Sequence, residues 1–81
     1  MQVTVSFYSY LKDLTGSSGE PQEIPAGSTL GELFETLGRR YPKLAAMKQS
    51  ILMAVGVDYQ PRDYQLQEGD EVSFFPPVQG G

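Results

Sequence analysis

The chain has 81 residues, 40% of them hydrophobic and 20% charged, with a formal net charge of −4. That length gives one domain with one core and no room for a deep enclosed active site, and the acidic balance argues against a nucleic-acid stripe or an anionic membrane surface. The chain has no Cys and no His, which excludes disulfides, thiolate nucleophiles, structural zinc clusters and imidazole general bases; catalysis by carboxylates or lysine stays open.

No stretch approaches the ~20 apolar residues that a membrane span needs. Residues 1–10 carry no basic segment leading into a hydrophobic run, so no signal peptide is read and a soluble, cytoplasmic protein is expected.

Residues 3–8 predict a strand, because Val3, Val5 and Phe7 alternate with Thr4, Ser6 and Tyr8. Leu11 and Leu14 suit a short helical turn, residues 15–19 (TGSSG) a loop, and residues 22–24 a second short strand. The clearest element is a helix over residues 30–40, where Leu30, Leu33, Phe34, Leu37 and then Tyr41 share one face. Thr29 and Glu32 have the spacing of a capping box, Arg39 and Arg40 suit the negative end of the helix dipole, and Pro42 is expected to stop the helix. Residues 44–50 form a connector with room for another helical turn. Residues 52–59 (LMAVGVDY) read as one buried strand, and 61–63 as a turn. Residues 67–70 (QEGD) predict a tight turn with Gly69 at positive φ and Asp70 organising it. Residues 71–75 predict a last strand with Val72 and Phe74 on one face and Glu71, Ser73 and Phe75 on the other.

The order is strand, strand, helix, strand, short connection, strand. It predicts an α+β fold of β-grasp (ubiquitin-like) type, a mixed sheet with one main helix packed on one face. The domain is expected over residues 1–75, followed by an extended tail at 76–81. Pro76 and Pro77 end ladder pairing and direct the chain away from the sheet, while Gly80 and Gly81 carry no side chain to obstruct a narrow channel. A slim Gly-Gly carboxylate can reach a partner's active site, be adenylated there with ATP, and then be attacked by a nucleophile. The partner must supply the ATP, magnesium and catalytic residues.

The run LQEGDEVSFFPPVQGG at residues 66–81 resembles the C-terminal signature of the MoaD-like family, the small sulfur-carrier subunits of molybdopterin synthase. The similarity extends through residues 5–14 and the helix start Thr29-Leu30-Gly31-Glu32-Leu33, and so covers nearly the whole chain. The resemblance implies a β-grasp fold. It implies adenylation of Gly81 by a ubiquitin-activating-like adenylyltransferase, and conversion to a thiocarboxylate with sulfur from a donor protein. It further implies insertion of the tail into the large catalytic subunit, in a heterotetramer, for molybdenum cofactor biosynthesis. No cofactor is expected on this chain, since ATP and Mg belong to the activating enzyme. The chain is then a non-catalytic sulfur donor and not an enzyme by itself. Three other uses of the same tail stay open: a sulfur carrier for thiamine or cysteine synthesis, a ubiquitin-like modifier conjugated through Gly81, and an interaction domain with an incidental tail.

If Val5, Phe7, Val72 and Phe74 face the helix, alternation puts Tyr8 and Phe75 on the open face. The first and last strands of a β-grasp are neighbours, so these two rings are expected to meet where the tail departs, with Tyr59 extending the cluster. Exposed clustered aromatics mark a contact surface, and Phe75, Tyr8 and Tyr59 are the partner-binding candidates. The resemblance implies hydrophobic contact residues at matching positions, with Phe or Leu more familiar where this chain has Tyr8 and Tyr59. The acids Glu68, Asp70 and Glu71 read as a solvated turn, and Lys12, Lys43 and Lys48 as solvated charges.

Overall fold

Eight elements succeed one another in the computed structural model, which describes residues 1–77. They are β1 (Gln2–Phe7), α1 (Leu11–Thr15), β2 (Gly19–Glu23), α2 (Leu30–Arg40), α3 (Pro42–Ala45), β3 (Leu52–Val55), β4 (Asp58–Tyr59) and β5 (Glu71–Phe75). The strands form one mixed sheet in the order β2-β1-β5-β3-β4. The central pair β1 and β5 is parallel, with Val5 beside Val72 and Phe7 beside Phe74. The pairs β1–β2, β3–β5 and β3–β4 are antiparallel. A mixed sheet with its main helix between two hairpin-like halves is the β-grasp arrangement expected from the element order.

The alternation of β1 and β5 decides where the core lies. Val3, Val5, Phe7, Val72 and Phe74 are all buried on one face, against Leu30, Leu33, Phe34 and Leu37 of α2. Phe74 stacks on Phe7 with ring centroids 5.8 Å apart and meets Phe34 at 6.0 Å. Burying each such side chain contributes roughly 1.5–3 kcal/mol.

Helix α2 keeps its expected bounds because its start is doubly capped. The Thr29 hydroxyl accepts from the Glu32 amide at 3.2 Å, and the Glu32 carboxylate accepts from the Thr29 amide at 2.8 Å. The next two amides, of Leu30 and Gly31, donate to the carbonyls of Tyr64 and Arg62 at 2.9 and 2.8 Å. The turn at 61–64 therefore satisfies donors that a helix start otherwise leaves to water. In the turn at 67–70, Gly69 has φ 84°, and the Asp70 carboxylate accepts from the Gln67 amide at 2.9 Å.

The structure corrects three sequence expectations and extends a fourth. Residues 52–59 are not one strand but a hairpin, β3 and β4, in which Val55 pairs with Asp58 across Gly56 and Val57. Gly56 has φ 62° while Val57 stays at negative φ, the pattern of a two-residue II′ loop. Pro42 does end α2, but it also opens α3, where a missing amide costs nothing at the first helical position. Strand β2 begins at Gly19 rather than Gln22 and includes Pro21, which an edge strand tolerates. Lys48 is not simply solvated, since its ammonium lies 2.8 Å from the Glu35 carboxylate. Both side chains are about half exposed, and the Lys48 ammonium holds the Glu35 carboxyl below the usual carboxylate range.

Candidate functional site

The parallel pairing of β1 and β5 brings their ends together at one edge of the open sheet face. The Tyr8 amide donates to the Phe74 carbonyl at 3.1 Å, which fixes the last turn of the ladder. One residue further along each strand, the side chains point the other way. The Tyr8 and Phe75 rings stack at 4.7 Å with 14° between their planes. The Tyr59 ring meets Phe75 edge-on at 6.3 Å and 75°. The three aromatics singled out in the sequence are therefore one cluster, with Phe75 half-buried between tyrosines that are 46% and 68% exposed.

Tyr59 reaches the cluster only because of the hairpin. In a single continuous strand it would lie beyond Val55, away from Phe75. The turn at Gly56 folds it back opposite Ala54, and Ala54 in turn lies opposite Ser73 of β5. The same register sets Leu52 beside Phe75. Leu52 and Ala54 thus join the apolar end of the open face, and the one-strand reading missed them. The signal was the Gly-Val pair between Val55 and Asp58, which suits a two-residue hairpin loop.

The chain turns away from this cluster through an unusual residue. Ser9 has φ 56°, a left-handed conformation uncommon outside glycine. It reverses the chain from β1 into α1, whose first turn is held by the Leu11 and Lys12 amides donating to the Tyr8 and Ser9 carbonyls at 3.2 Å. Pro76 and Pro77 come directly after Phe75, so the root of the tail and the aromatic cluster occupy the same corner. The Gly80 and Gly81 assignments lie outside the described residues.

Among the described residues, no group of three or more acids forms a metal-binding cluster, and no helix is long and apolar enough to cross a membrane. Glu68 and Asp70 are engaged in local structure: Glu68 accepts from the Gln2 amide at 3.1 Å and Asp70 from Gln67. Arg40, expected as a helix-end charge, also pairs with Glu20 of β2 at 3.1 Å.

Comparison with known proteins places this architecture. The ThiS family model matches residues 5–81. The molybdopterin synthase sulfur carrier subunit of Mycobacterium tuberculosis is 32% identical over 82 residues, covering 100% of this chain and 99% of that protein. The human protein of the same name is 31% identical over 83 residues, covering 99% and 94%. Among solved structures, SAMP1 from Haloferax volcanii superposes with a TM-score of 0.88 at 20% identity, with 100% of both chains covered. A protein–protein complex of subunits 1 and 2 of molybdopterin-converting factor from Helicobacter pylori contains a chain that matches with a TM-score of 0.70 at 22% identity, again with 100% of both covered. At these identities the two structures speak for the ubiquitin-like fold alone. The family match over nearly the whole chain, together with relatives above 30% identity, establishes that this chain belongs to the ThiS family of sulfur carriers, with the molybdopterin synthase sulfur carrier subunits.

Proposed function

We propose that the chain carries sulfur for molybdenum cofactor biosynthesis as the small subunit of a molybdopterin synthase, with the carboxylate of Gly81 as its working group. The observation that supports this most is the kinship with named sulfur carrier subunits along the full chain, joined to a Phe-Phe-Pro-Pro-Val-Gln-Gly-Gly ending. A carboxylate is a poor electrophile, so it needs activation. An adenylyltransferase, using ATP and Mg, lets a Gly81 carboxylate oxygen attack the α-phosphorus, and pyrophosphate leaves. Sulfide-level sulfur delivered by a donor protein then adds as hydrosulfide at the acyl carbon, AMP departs with the electron pair of the C–O bond, and loss of the S–H proton leaves the thiocarboxylate. The resulting thiocarboxylate enters the large catalytic subunit in the cytoplasm.

In this reading the domain and the tail have separate tasks. Phe75, Tyr8 and Tyr59 dock on the large subunit, and Gly80 and Gly81 thread a constriction that a Cβ would obstruct. At a reacting centre, a misplacement of ~1 Å can cost on the order of 100-fold in rate. Deleting Gly81 is therefore expected to abolish sulfur transfer while calorimetry still detects binding to the large subunit. Full transfer by the truncated chain would remove the proposed reacting atom from the mechanism. Loss of transfer and binding together would assign the affinity to the tail and strip the aromatic cluster of its role.

A further inference from the structure

The bases of this domain are confined to one layer, whereas acids occur in both, with Asp13, Glu32, Glu35 and Asp63 in the helical layer and its loops. All six Lys and Arg residues lie in the helical layer and its loops: Lys12 in α1, Arg39 and Arg40 in α2, Lys43 in α3, with Lys48 and Arg62 in the segments beside them. Arg62 is tied to that layer, with its guanidinium 5.4 Å from the Phe34 ring centroid and donating to the Lys48 carbonyl. No strand contains a base, whereas the strands contain Glu20, Glu23, Asp58 and Glu71. Glu20 is paired with Val5 on the core side, and Arg40 neutralises it. Glu23 and Glu71 belong to the open face. Glu23 lies beside Gln2 and Glu71 beside Thr4, flanking β1 on both sides, and both are exposed. The α-amino group of Met1, at the same end of β1, donates to the Ile24 carbonyl at 2.7 Å.

The open face thus has two zones. Its tail end is apolar, with Tyr8, Phe75, Leu52, Ala54 and Tyr59. Its other end carries Glu23 and Glu71. Glu71 and Phe75 are four residues apart on one strand, so the zones are separated by about 13 Å at ~3.3 Å per residue. A standard interface covers ≈ 800 Å² per partner, which spans both zones.

Resting on the functional reading above, we infer that the open sheet face docks a protein surface bearing basic side chains beside an apolar socket, with Glu23 and Glu71 steering the encounter and the Tyr8–Phe75–Tyr59 cluster holding the complex. Charge complementarity identifies this partner. The face offers carboxylates without a cation among its own strands, while the opposite layer offers all the chain's lysines and arginines. Charges at an interface rim act on the association rate and its salt dependence, whereas desolvated aromatic anchors act on dissociation. The face therefore orients the domain before the rings are buried, and the tail root arrives on the partner already aligned.

Stopped-flow or surface-based kinetics with the full chain and the cognate large subunit of molybdopterin synthase, over a range of salt concentrations, test this. Glu23→Lys and Glu71→Lys are each expected to slow association several-fold at low salt, on the order of 3–10-fold, with dissociation little changed and the loss fading at high salt. Asp63→Lys makes the same change in net charge beside α2 and is expected to leave association within about twofold. Glu23→Gln and Glu71→Gln, which only neutralise, give smaller losses of the same kind. An equal slowing by all three lysine variants would reduce the effect to net charge and overturn the inference. Association indifferent to salt and to both face reversals would overturn it as well, while leaving the functional reading standing. If the unmodified chain fails to bind the large subunit at all, the functional reading falls and takes this inference with it.

Discussion

Phe74 and Phe75 are adjacent in the chain and lie on opposite faces of the sheet. Phe74 is fully buried between Phe7 and Phe34, whereas Phe75 lies on the open face between two exposed tyrosines. Strand geometry alone separates them, since successive side chains point to opposite faces. Phe74→Ala is expected to cost about 3–5 kcal/mol, a large share of the roughly 5–15 kcal/mol available to a domain. Phe75→Ala is expected to leave the melting temperature nearly unchanged and to weaken binding to the large subunit by roughly 1–3 kcal/mol. Thermal unfolding and titration calorimetry on the two variants check this. An unfolded Phe75→Ala chain with unchanged affinity per folded molecule would invert the face assignment. This contrast was legible in the sequence because both strands alternate cleanly. The left-handed Ser9 was not, since nothing in Tyr-Ser-Tyr requires positive φ; the structure turns the chain there because Leu11 must reach the core while Tyr8 stays on the open face.

At the level of elements, α2 was legible to the residue because its cap, its apolar stripe and its terminating proline agree. Strand β2 was not, because Gly-Glu-Pro-Gln-Glu has no apolar alternation. It is a strand only through its pairing with β1, as an edge strand can be. The hairpin of β3 and β4 was hidden because Leu-Met-Ala-Val-Gly-Val is apolar on both sides of its turn. One tie between elements has a titratable centre. The Tyr41 hydroxyl donates to the Glu20 carboxylate at 3.1 Å and accepts from Arg40 at 3.0 Å, fastening the end of α2 to β2. Partial burial, followed by the Glu20 carboxylate, raises the Tyr41 pKa above its usual value of 10.0. A raised folded-state pKa means that the unfolded chain loses this proton first. The stabilisation is fully present below pH 10 and is lost as pH climbs from there through the folded-state value. Denaturant midpoints measured from pH 8 to 11 are expected to fall above about pH 10, and Tyr41→Phe is expected to start lower and to lose part of that slope. An unchanged slope in Tyr41→Phe would deny this tyrosine a part in the alkaline loss.

For the whole molecule, the sheet has one face covered by helices and one face free, and Pro76 and Pro77 follow directly on the aromatic cluster of the free face. A domain of this size offers little interior for chemistry, and it has neither Cys nor His. Its means of acting on a partner are a surface and a terminus. The open face, with its aromatic cluster beside the tail root and its carboxylates farther along, supplies the first. In the proposed function, the Gly80-Gly81 segment supplies the second. The chemistry proposed for the terminus rests on the sequence, where two prolines precede two glycines, and Gly80 and Gly81 lie outside the described residues. The surface was legible only in part, because Leu52 and Ala54 join it through the β3–β5 register, and Tyr59 reaches it through a hairpin that the sequence reading took for a straight strand. The central claim is that sulfur travels on the Gly81 carbonyl carbon, and intact mass spectrometry reads this directly. Incubated with its adenylyltransferase, ATP, Mg and a sulfur donor, the full chain is expected to gain about 16 Da, the difference between sulfur and oxygen, with fragmentation placing the gain on Gly81. No such product with an activating enzyme of verified activity, or a gain located anywhere but Gly81, would contradict the account.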